Sequence, residues 1–300
     1  MPAMPTRHAP TFDLQSHSVH SDGSLTPREV VVGAAAAGVK LLALTDHDTV
    51  DGVPEALEAA ATQGIRLLPA AELSAVHGAE EDLHILGYGI DPTDSLLEEA
   101  LSDWRADRGS RIGAMADRLE QLGFTLDRRS LDERAHAGKP LGRPHLAQAV
   151  LAHPANRDRL GKEGILGLDA LFPAYLVPGA PAYVARTRPF VGEAIEAIHA
   201  AGGLAVWAHP FWDFDDPGQT VEIIDAFAAL GIDGVECFYI THTAEQTRLL
   251  HTRCRARGLL TTGSADFHGP DHERFNAFRA FDLHGLQPDL DRLLEPRELS

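Results

Sequence analysis

The sequence predicts an α/β fold with about seven strands, interrupted by a helical insert. Three observations predict it. Short apolar runs alternate with helical patterns over the first 90 residues, the same alternation resumes after residue 188, and the stretch between is helically periodic without a convincing strand.

Phe12–Leu14 reads as the first strand. Thr26 then reads as a helix N-cap, with Pro27 at N1 and Glu29 completing a capping box, and Gly38 suits the helix end. Leu41–Thr45 is the second strand, Val53–Gln63 a helix closed by Gly64, and Ile65–Ala71 and Leu83–Tyr88 the third and fourth strands. Beyond the insert, Pro189–Ala201 is helical, Leu204–Ala208 a strand, Thr220–Leu230 a helix and Gly234–Cys237 a strand. Thr243–Arg257 is a helix ended by Gly258, and Leu259–Gly263 the last strand. Repeated βα units predict a parallel sheet, open or closed into a barrel. The predicted domains are a discontinuous barrel, residues 10–91 and 189–285, a helical insert over 92–188, and a C-terminal tail over 286–300.

Charge separates these parts. The 300 residues carry 26 Lys+Arg and 44 Asp+Glu, a net charge of −18. Residues 92–188 hold 14 basic and 13 acidic residues, leaving 12 and 31 for the rest. An acidic body argues against duplex DNA, which demands a positive surface. The Arg-rich insert is either a helical decoration or a cap whose arginines face an anion. No apolar run approaches the about 18 residues that span a bilayer, and the N-terminus has no apolar signal region. Cys237 and Cys254 are too few for a thiolate site or disulfide framework and read as packing residues in a reducing, cytoplasmic setting.

Histidine is abundant, at 16 residues, and its placement is the strongest signal. His17, His20 and Asp22 follow the first strand, and Asp46, His47 and Asp48 follow the second. Glu72 ends the third, His84 opens the fourth, His209 ends the fifth, and Asp266 and His268 follow the last. In α/β folds the carboxyl ends of strands share one crevice or barrel mouth, so these groups converge there. So many carboxylates would repel one another without cations, and imidazole with carboxylate suits Zn, Mn or Fe.

The segments Asp13–His17, Ser21-Asp22-Gly23, Thr45–Thr49, Glu72, His84, His209-Pro210 and Ser264–Gly269 are similar to those of the PHP (polymerase and histidinol phosphatase) family of metal-dependent phosphoesterases. They run in family order over nearly the whole chain. Gly142-Arg143-Pro144-His145 and Pro181–Val184 resemble the branch of stand-alone nucleotide phosphatases. The resemblance implies a distorted (β/α)7 PHP barrel with an inserted helical cap subdomain and two or three divalent metals, Mn, Fe or Zn. It implies that His17, Glu72 and Asp266 hold a first metal, that Glu72 bridges to a second held by His84 and His209, and that Asp22, His47 and His268 hold a third. Catalysis would centre on His209, Asp266 and Glu72. One position departs: the family opens with His-x-His, and the first histidine falls on Gln15. A Gln carbonyl is a weaker ligand, so this site would be looser, take a harder ion, or be partly empty. His20 would compensate or contact substrate.

A metal centre would neutralise phosphoryl oxygens, lower the pKa of a bound water, and align a metal-bridging hydroxide for in-line attack. Arg143 with His145 is the predicted substrate clamp, set against a helix-start arginine in water. Lys139 and Arg111 fit a solvated charged face better. Asp46 and Asp48 either orient ligand imidazoles or cap loops. His20, His145 and His242 are open choices for the leaving-group acid. Trp207 fits barrel core, while Phe211 or Trp212 is placed to stack on a base.

The expected activity is removal of a phosphate from a nucleotide, a 3′,5′-nucleoside bisphosphate or a monophosphate. The alternatives are a 5′-3′ exoribonuclease on short RNA and a non-catalytic metal-binding domain. The expected partner is a small phosphate ester, not a membrane or duplex DNA. An amidohydrolase with a similar metal-lined barrel lacks support.

Overall fold

The computed structural model describes residues 10–295. They form two compact units, one made of the residues up to Glu99 and from Pro189 onward, the other Ala100–Arg188.

The first unit holds seven strands in one sheet, in chain order: β1 (Phe12–Asp13), β2 (Leu41–Leu44), β3 (Arg66–His77), β4 (Glu80–Tyr88), β5 (Leu204–Trp207), β6 (Gly234–Tyr239) and β7 (Leu260–Ser264). Past the last strand the sheet nearly closes on itself. Leu14 N–H donates to Gly263 O at 3.2 Å, and Ser16 bridges Phe267 in parallel.

The all-parallel expectation is corrected. β4 runs antiparallel to both β3 and β5, while the other pairs are parallel. No helix separates β3 from β4, so the β/α repeat fails there. They meet in a two-residue hairpin, Gly78-Ala79, with Gly78 at φ 62°. Both strands also outrun the predicted ones. The polar run His77–Asp82 resembles a loop, but buried Leu73, Ala75 and Val76 carry β3 to His77, and β4 starts at Glu80. Glu72 therefore lies mid-strand, not at a strand end, and His84 lies inside β4.

Local rules account for the helices. Thr26 caps helix Pro27–Ala36 through a capping box with Glu29, and Thr243 caps Ala244–Arg257 with Gln246. Gly64 and Gly258 end their helices in the left-handed conformation. Val30, Val31 and Ala34 of the first helix and Ala56, Ala59 and Ala60 of helix Val53–Gln63 pack with Leu42 and Leu44 of β2. Trp207 is buried in the barrel core. Cys237 and Cys254 are buried, free thiols whose sulfurs lie 3.9 Å apart.

The second unit is helical, built from the part of helix Ser95–Gln121 beyond Glu99 and from helices Arg129–His136, Arg143–Ala152 and Arg157–Glu163. Its own core includes Met115, Leu119, Leu146, Val150, Leu171 and Leu176. Near the C-terminus, Thr261 N–H donates to Asp289 O, and the Arg66 guanidinium donates to the Leu293 and Leu294 carbonyls. Residues 296–300 of the predicted tail lie outside the described residues. No helix of the described residues is long and apolar enough to cross a membrane.

Gly263 of β7 pairs with Phe238 of β6. A Cβ there would meet the Phe238 carbonyl oxygen at 2.5 Å, and backbone cannot yield as a side-chain tip can. Gly263→Ala is expected to lower unfolding stability by about 2–3 kcal/mol, read by urea denaturation; an unchanged midpoint would contradict this packing.

Candidate metal centre

Glu72 is the hub. It is fully buried in β3, and its two carboxylate oxygens face four imidazoles. His84 Nδ1 lies 2.7 Å and His209 Nε2 3.3 Å from Oε1, and His17 Nε2 lies 3.1 Å and His47 Nδ1 3.5 Å from Oε2. Gln15 adds a fifth contact, its amide N–H donating to Oε2 at 3.0 Å.

Three donor groups share this hub or its neighbours. His17, Glu72 and Asp266 form one, His47, Glu72 and His84 a second, and His17, Asp22, His47 and His268 a third, each within 4.8 Å. His209 Nε2 joins the second, 3.2 Å from His84 Nδ1. Among the described residues, His17 Nε2, His47 Nδ1 and Asp266 Oδ1 are buried without a hydrogen-bond partner. Buried polar atoms are nearly always satisfied. Unsatisfied nitrogen and carboxylate donors converging on one spot are what a divalent cation takes up, so the donor set fits a metal centre.

The loops that carry these donors are held from behind. Asp46 accepts from Ser18 N–H, Ser18 Oγ and Ser21 Oγ, at 2.7, 2.6 and 2.6 Å, and Ser21 Oγ lies 3.3 Å from His17 Nδ1. Of the two predicted roles, Asp46 thus fixes the loop, and orients His17 only through Ser21. Asp48 accepts from Ser74 N–H at 2.9 Å. Asp48, His209 and Asp266 adopt φ of 52°, 29° and 52°. Such backbone costs of order 1–3 kcal/mol per residue and clusters at functional sites.

Electrostatics follow from burial. The Glu72 carboxyl lies well below the ordinary range, because His47 and His84 outweigh the cost of burying it. Burial alone would lower His17 and His209. Asp266 and Glu72 instead hold His17 well above its usual value, and Glu72 raises His209 to about 9. Burial lowers His47 to about 4. Asp266 falls to about 2, the His268 and His17 charges outweighing burial.

Other predicted residues fall elsewhere. His20 sits half-buried in the turn after His17, its N–H on Ser18 Oγ, and among the described residues it is in none of the three donor groups. Arg143 and His145 belong to the helical unit. Arg143 opens helix Arg143–Ala152, donates to Leu176 O at 3.3 Å, and lies over the Phe172 ring, while His145 Nδ1 accepts from Gly142 N–H. Arg111 is not on a solvated face. It is buried, donates to Val184 O at 2.7 Å, and lies over Tyr183. His242 is buried and lowered to about 4 by burial, with Nδ1 3.1 Å from Cys237 O. Trp212 is 53% exposed, its ring 6.5 Å from His209 and under the Arg274 guanidinium.

Three buried groups escaped the sequence. Glu236 in β6 accepts from Ser264 Oγ at 2.6 Å and from His209 N–H at 2.9 Å. Tyr239 donates to Asp266 Oδ2 at 2.8 Å. Asp13, pushed up to about 7 by burial, accepts from Ala265 and Arg279 N–H. The available signal was an acidic residue inside an apolar strand, Val235-Glu236-Cys237 and Phe12-Asp13-Leu14.

A family model described as the PHP domain matches residues 13–125. A 3′,5′-nucleoside bisphosphate phosphatase of Chromobacterium violaceum is 34% identical over 290 residues, covering 96% of this chain and 98% of the relative. A 5′-3′ exoribonuclease of Haemophilus influenzae is 34% identical over 261 residues, covering 86% and 90%. Among solved structures, a metal-dependent phosphoesterase from Bifidobacterium adolescentis superposes with a TM-score of 0.73 at 30% identity, covering 96% of this chain and 95% of that one.

Glu236 generates a prediction for the metal-free protein. Burial pushes its carboxyl up to about 8, the nearby His209 charge and the Ser264 hydrogen bond only partly offsetting it. A folded value above the unfolded one contributes stability below about pH 4.5 that is lost as pH rises toward 8. In chelator, wild type is therefore expected to lose stability relative to Glu236→Gln between about pH 5 and 8, by on the order of a few kcal/mol. Denaturant titrations across that range read the difference, and a pH-independent difference would contradict it.

Proposed function

The chain belongs to the PHP family, and from that premise we propose that it is a metal-dependent phosphoesterase that removes a phosphate from a nucleotide, a 3′,5′-nucleoside bisphosphate or a nucleoside monophosphate. The carrying observation is the buried Glu72 carboxylate ringed by His17, His47, His84 and His209 at 2.7–3.5 Å.

His17, Glu72 and Asp266 would hold one ion, Glu72, His84 and His209 a second, and Asp22, His47 and His268 a third. Bound divalent ions supply charge neutralisation at the phosphoryl group, Lewis acidity and an activated water. The chain's own residues do the positioning. β3 and the β3–β4 hairpin present Glu72 and His84 from adjacent strands, on a rigid sheet. Glu236 holds the His209 backbone in its strained conformation, and Tyr239 fixes the far oxygen of Asp266, leaving Oδ1 turned toward His17. Preorganisation of this kind is what electrostatic catalysis requires.

The likeness to the bisphosphate phosphatase supports the monoester substrate, because it extends over nearly the full length of both chains. The exoribonuclease relative supports a second substrate for the same site, the 5′ end of a short RNA. Both reactions break a P–O bond, so one assay separates them.

The test is phosphate and nucleotide release by Mn-loaded full-length protein from adenosine 3′,5′-bisphosphate, AMP and a short 5′-phosphorylated RNA. Release from the bisphosphate or AMP is expected, abolished by chelator, restored by Mn, and lowered on the order of 100-fold or more by His209→Ala. Mononucleotide release from RNA alone would favour the exonuclease. No turnover of any substrate by metal-loaded protein would overturn the enzymatic proposal and favour a non-catalytic metal-binding domain.

A further inference from the structure

Gln15 stands where the family places a metal-binding histidine, and the structure gives it different work. It follows β1 and is 1% exposed. Its amide nitrogen donates to Glu72 Oε2 at 3.0 Å, and its amide oxygen lies 3.3 Å from Ser264 Oγ. Ser264, the last residue of β7, is also 2.6 Å from Glu236 Oε1, whose partner oxygen Oε2 accepts the His209 N–H.

The orientation of the amide is dictated by what it faces. Reversing it would put a carbonyl oxygen 3.0 Å from a carboxylate oxygen, two acceptors with no proton between them. It would also turn the NH2 toward Ser264. A buried carboxylate gains most from a fixed donor, since hydrogen bonds to charged groups are about twice as strong as neutral ones. The amide nitrogen is thus engaged by the hub carboxylate, and the amide oxygen lies beside the β7 hydroxyl, whose single proton the closer Glu236 Oε1 accepts.

We propose that Gln15 is a positioning residue for Glu72 and not a metal ligand, so that the first cation site of this chain is built from His17, Glu72 and Asp266 alone. This rests on the metal-dependent reading above. Gln15 lies between the carboxylate shared by two ion sites and Ser264, which donates to the same glutamate that pins His209. The first site loses a nitrogen donor and becomes a one-imidazole, two-carboxylate set. Such a set suits a hard ion and exchanges it readily.

The experiment is equilibrium dialysis of metal-free, full-length protein against increasing Mn(II), with bound metal counted by elemental analysis. It yields a saturation number and a half-saturation concentration for wild type, Gln15→Leu, Gln15→His and Ser264→Ala. Gln15→Leu is expected to keep the wild-type saturation number while half-saturation rises about 10- to 100-fold, the range typical of partners that orient metal ligands. Ser264→Ala should move the same way by less, and it keeps the proposal testable if the leucine variant does not fold. Gln15→His adds a nitrogen donor and should tighten binding of one ion, raising the thermal midpoint of the loaded protein. In the metal-free state, Gln15→Leu should lower the thermal midpoint by several degrees, because Glu72 loses its amide donor. Loss of one ion from the saturation number in Gln15→Leu, with an unaltered metal-free midpoint, would identify Gln15 as a ligand and overturn the proposal. Wild type that binds no Mn at any concentration would overturn the metal-dependent reading instead, and the metal-free midpoints would still decide the role of Gln15.

Discussion

The fully buried carboxylate of Glu72 is the constraint on which the rest of the barrel depends. Moving a carboxylate out of water costs several kcal/mol even after relaxation, unless charge and hydrogen bonds replace the lost water. Here the replacement comes from four strands and loops at once. His17 follows β1, His47 follows β2, His84 lies in β4 and His209 follows β5. Each must arrive at the same point, so strand register and loop length are tied to one side chain. The extension of β3 and its hairpin into β4 meet the same demand. They place Glu72 and His84 on paired strands, Glu72 opposite Leu86 and His84 opposite Ser74, two residues out of register. On one face of an antiparallel pair, that diagonal spacing lets longer side chains reach each other.

Further anions surround the hub without sharing its role. Asp13 and Glu236 are buried in strands and pushed up to about 7 and 8, whereas Glu72 and Asp266 are pulled down. The division is physical. Glu72 and Asp266 face imidazoles, while Asp13 and Glu236 face mainly N–H and hydroxyl donors of the scaffold. The first pair can lend charge to a cation. The second pair secures backbone: Asp13 ties β1 to Ala265 and Arg279, and Glu236 ties β6 to His209 and Ser264. The strained φ values at His209 and Asp266 persist because these bonds over-determine them.

Much of this was legible in the sequence, and for stated reasons. All seven strands were visible, because each is an apolar run bounded by turn residues. The capping box at Thr26 announced one helix by side-chain chemistry alone. His17, Asp22, His47, Glu72, His84, His209, Asp266 and His268 stand out together because they recur near the strand ends that the apolar runs predict. What failed shares one cause: pattern reports local periodicity, not pairing direction or partner. The antiparallel β4 looks like any other strand. The run His77–Asp82 looks like a loop, although buried neighbours carry β3 to His77 and β4 starts at Glu80. Glu236 and Asp13 were invisible as functional groups, since one acidic residue in an apolar strand has no period. Gln15 was recognised as a departure, but only the facing Glu72 oxygen shows which end of its amide is used.

The charge pattern leads to a last step. The acidic excess lies outside the helical stretch, in the part that carries the donor cluster, and a phosphate ester brings more negative charge to it. In the helical unit, Arg111 and Arg143 meet backbone carbonyls and aromatic rings. Cations held by the cluster would supply positive charge directly beside the phosphoryl group. They act on the phosphoryl group, which nucleotide monoesters and RNA ends have in common, and not on the base or the chain attached to it. The barrel thus sets the bond that is broken, and the surfaces around it set which ester arrives. Relatives of such similar length and identity can accordingly bear the names of a phosphatase and an exonuclease on one fold.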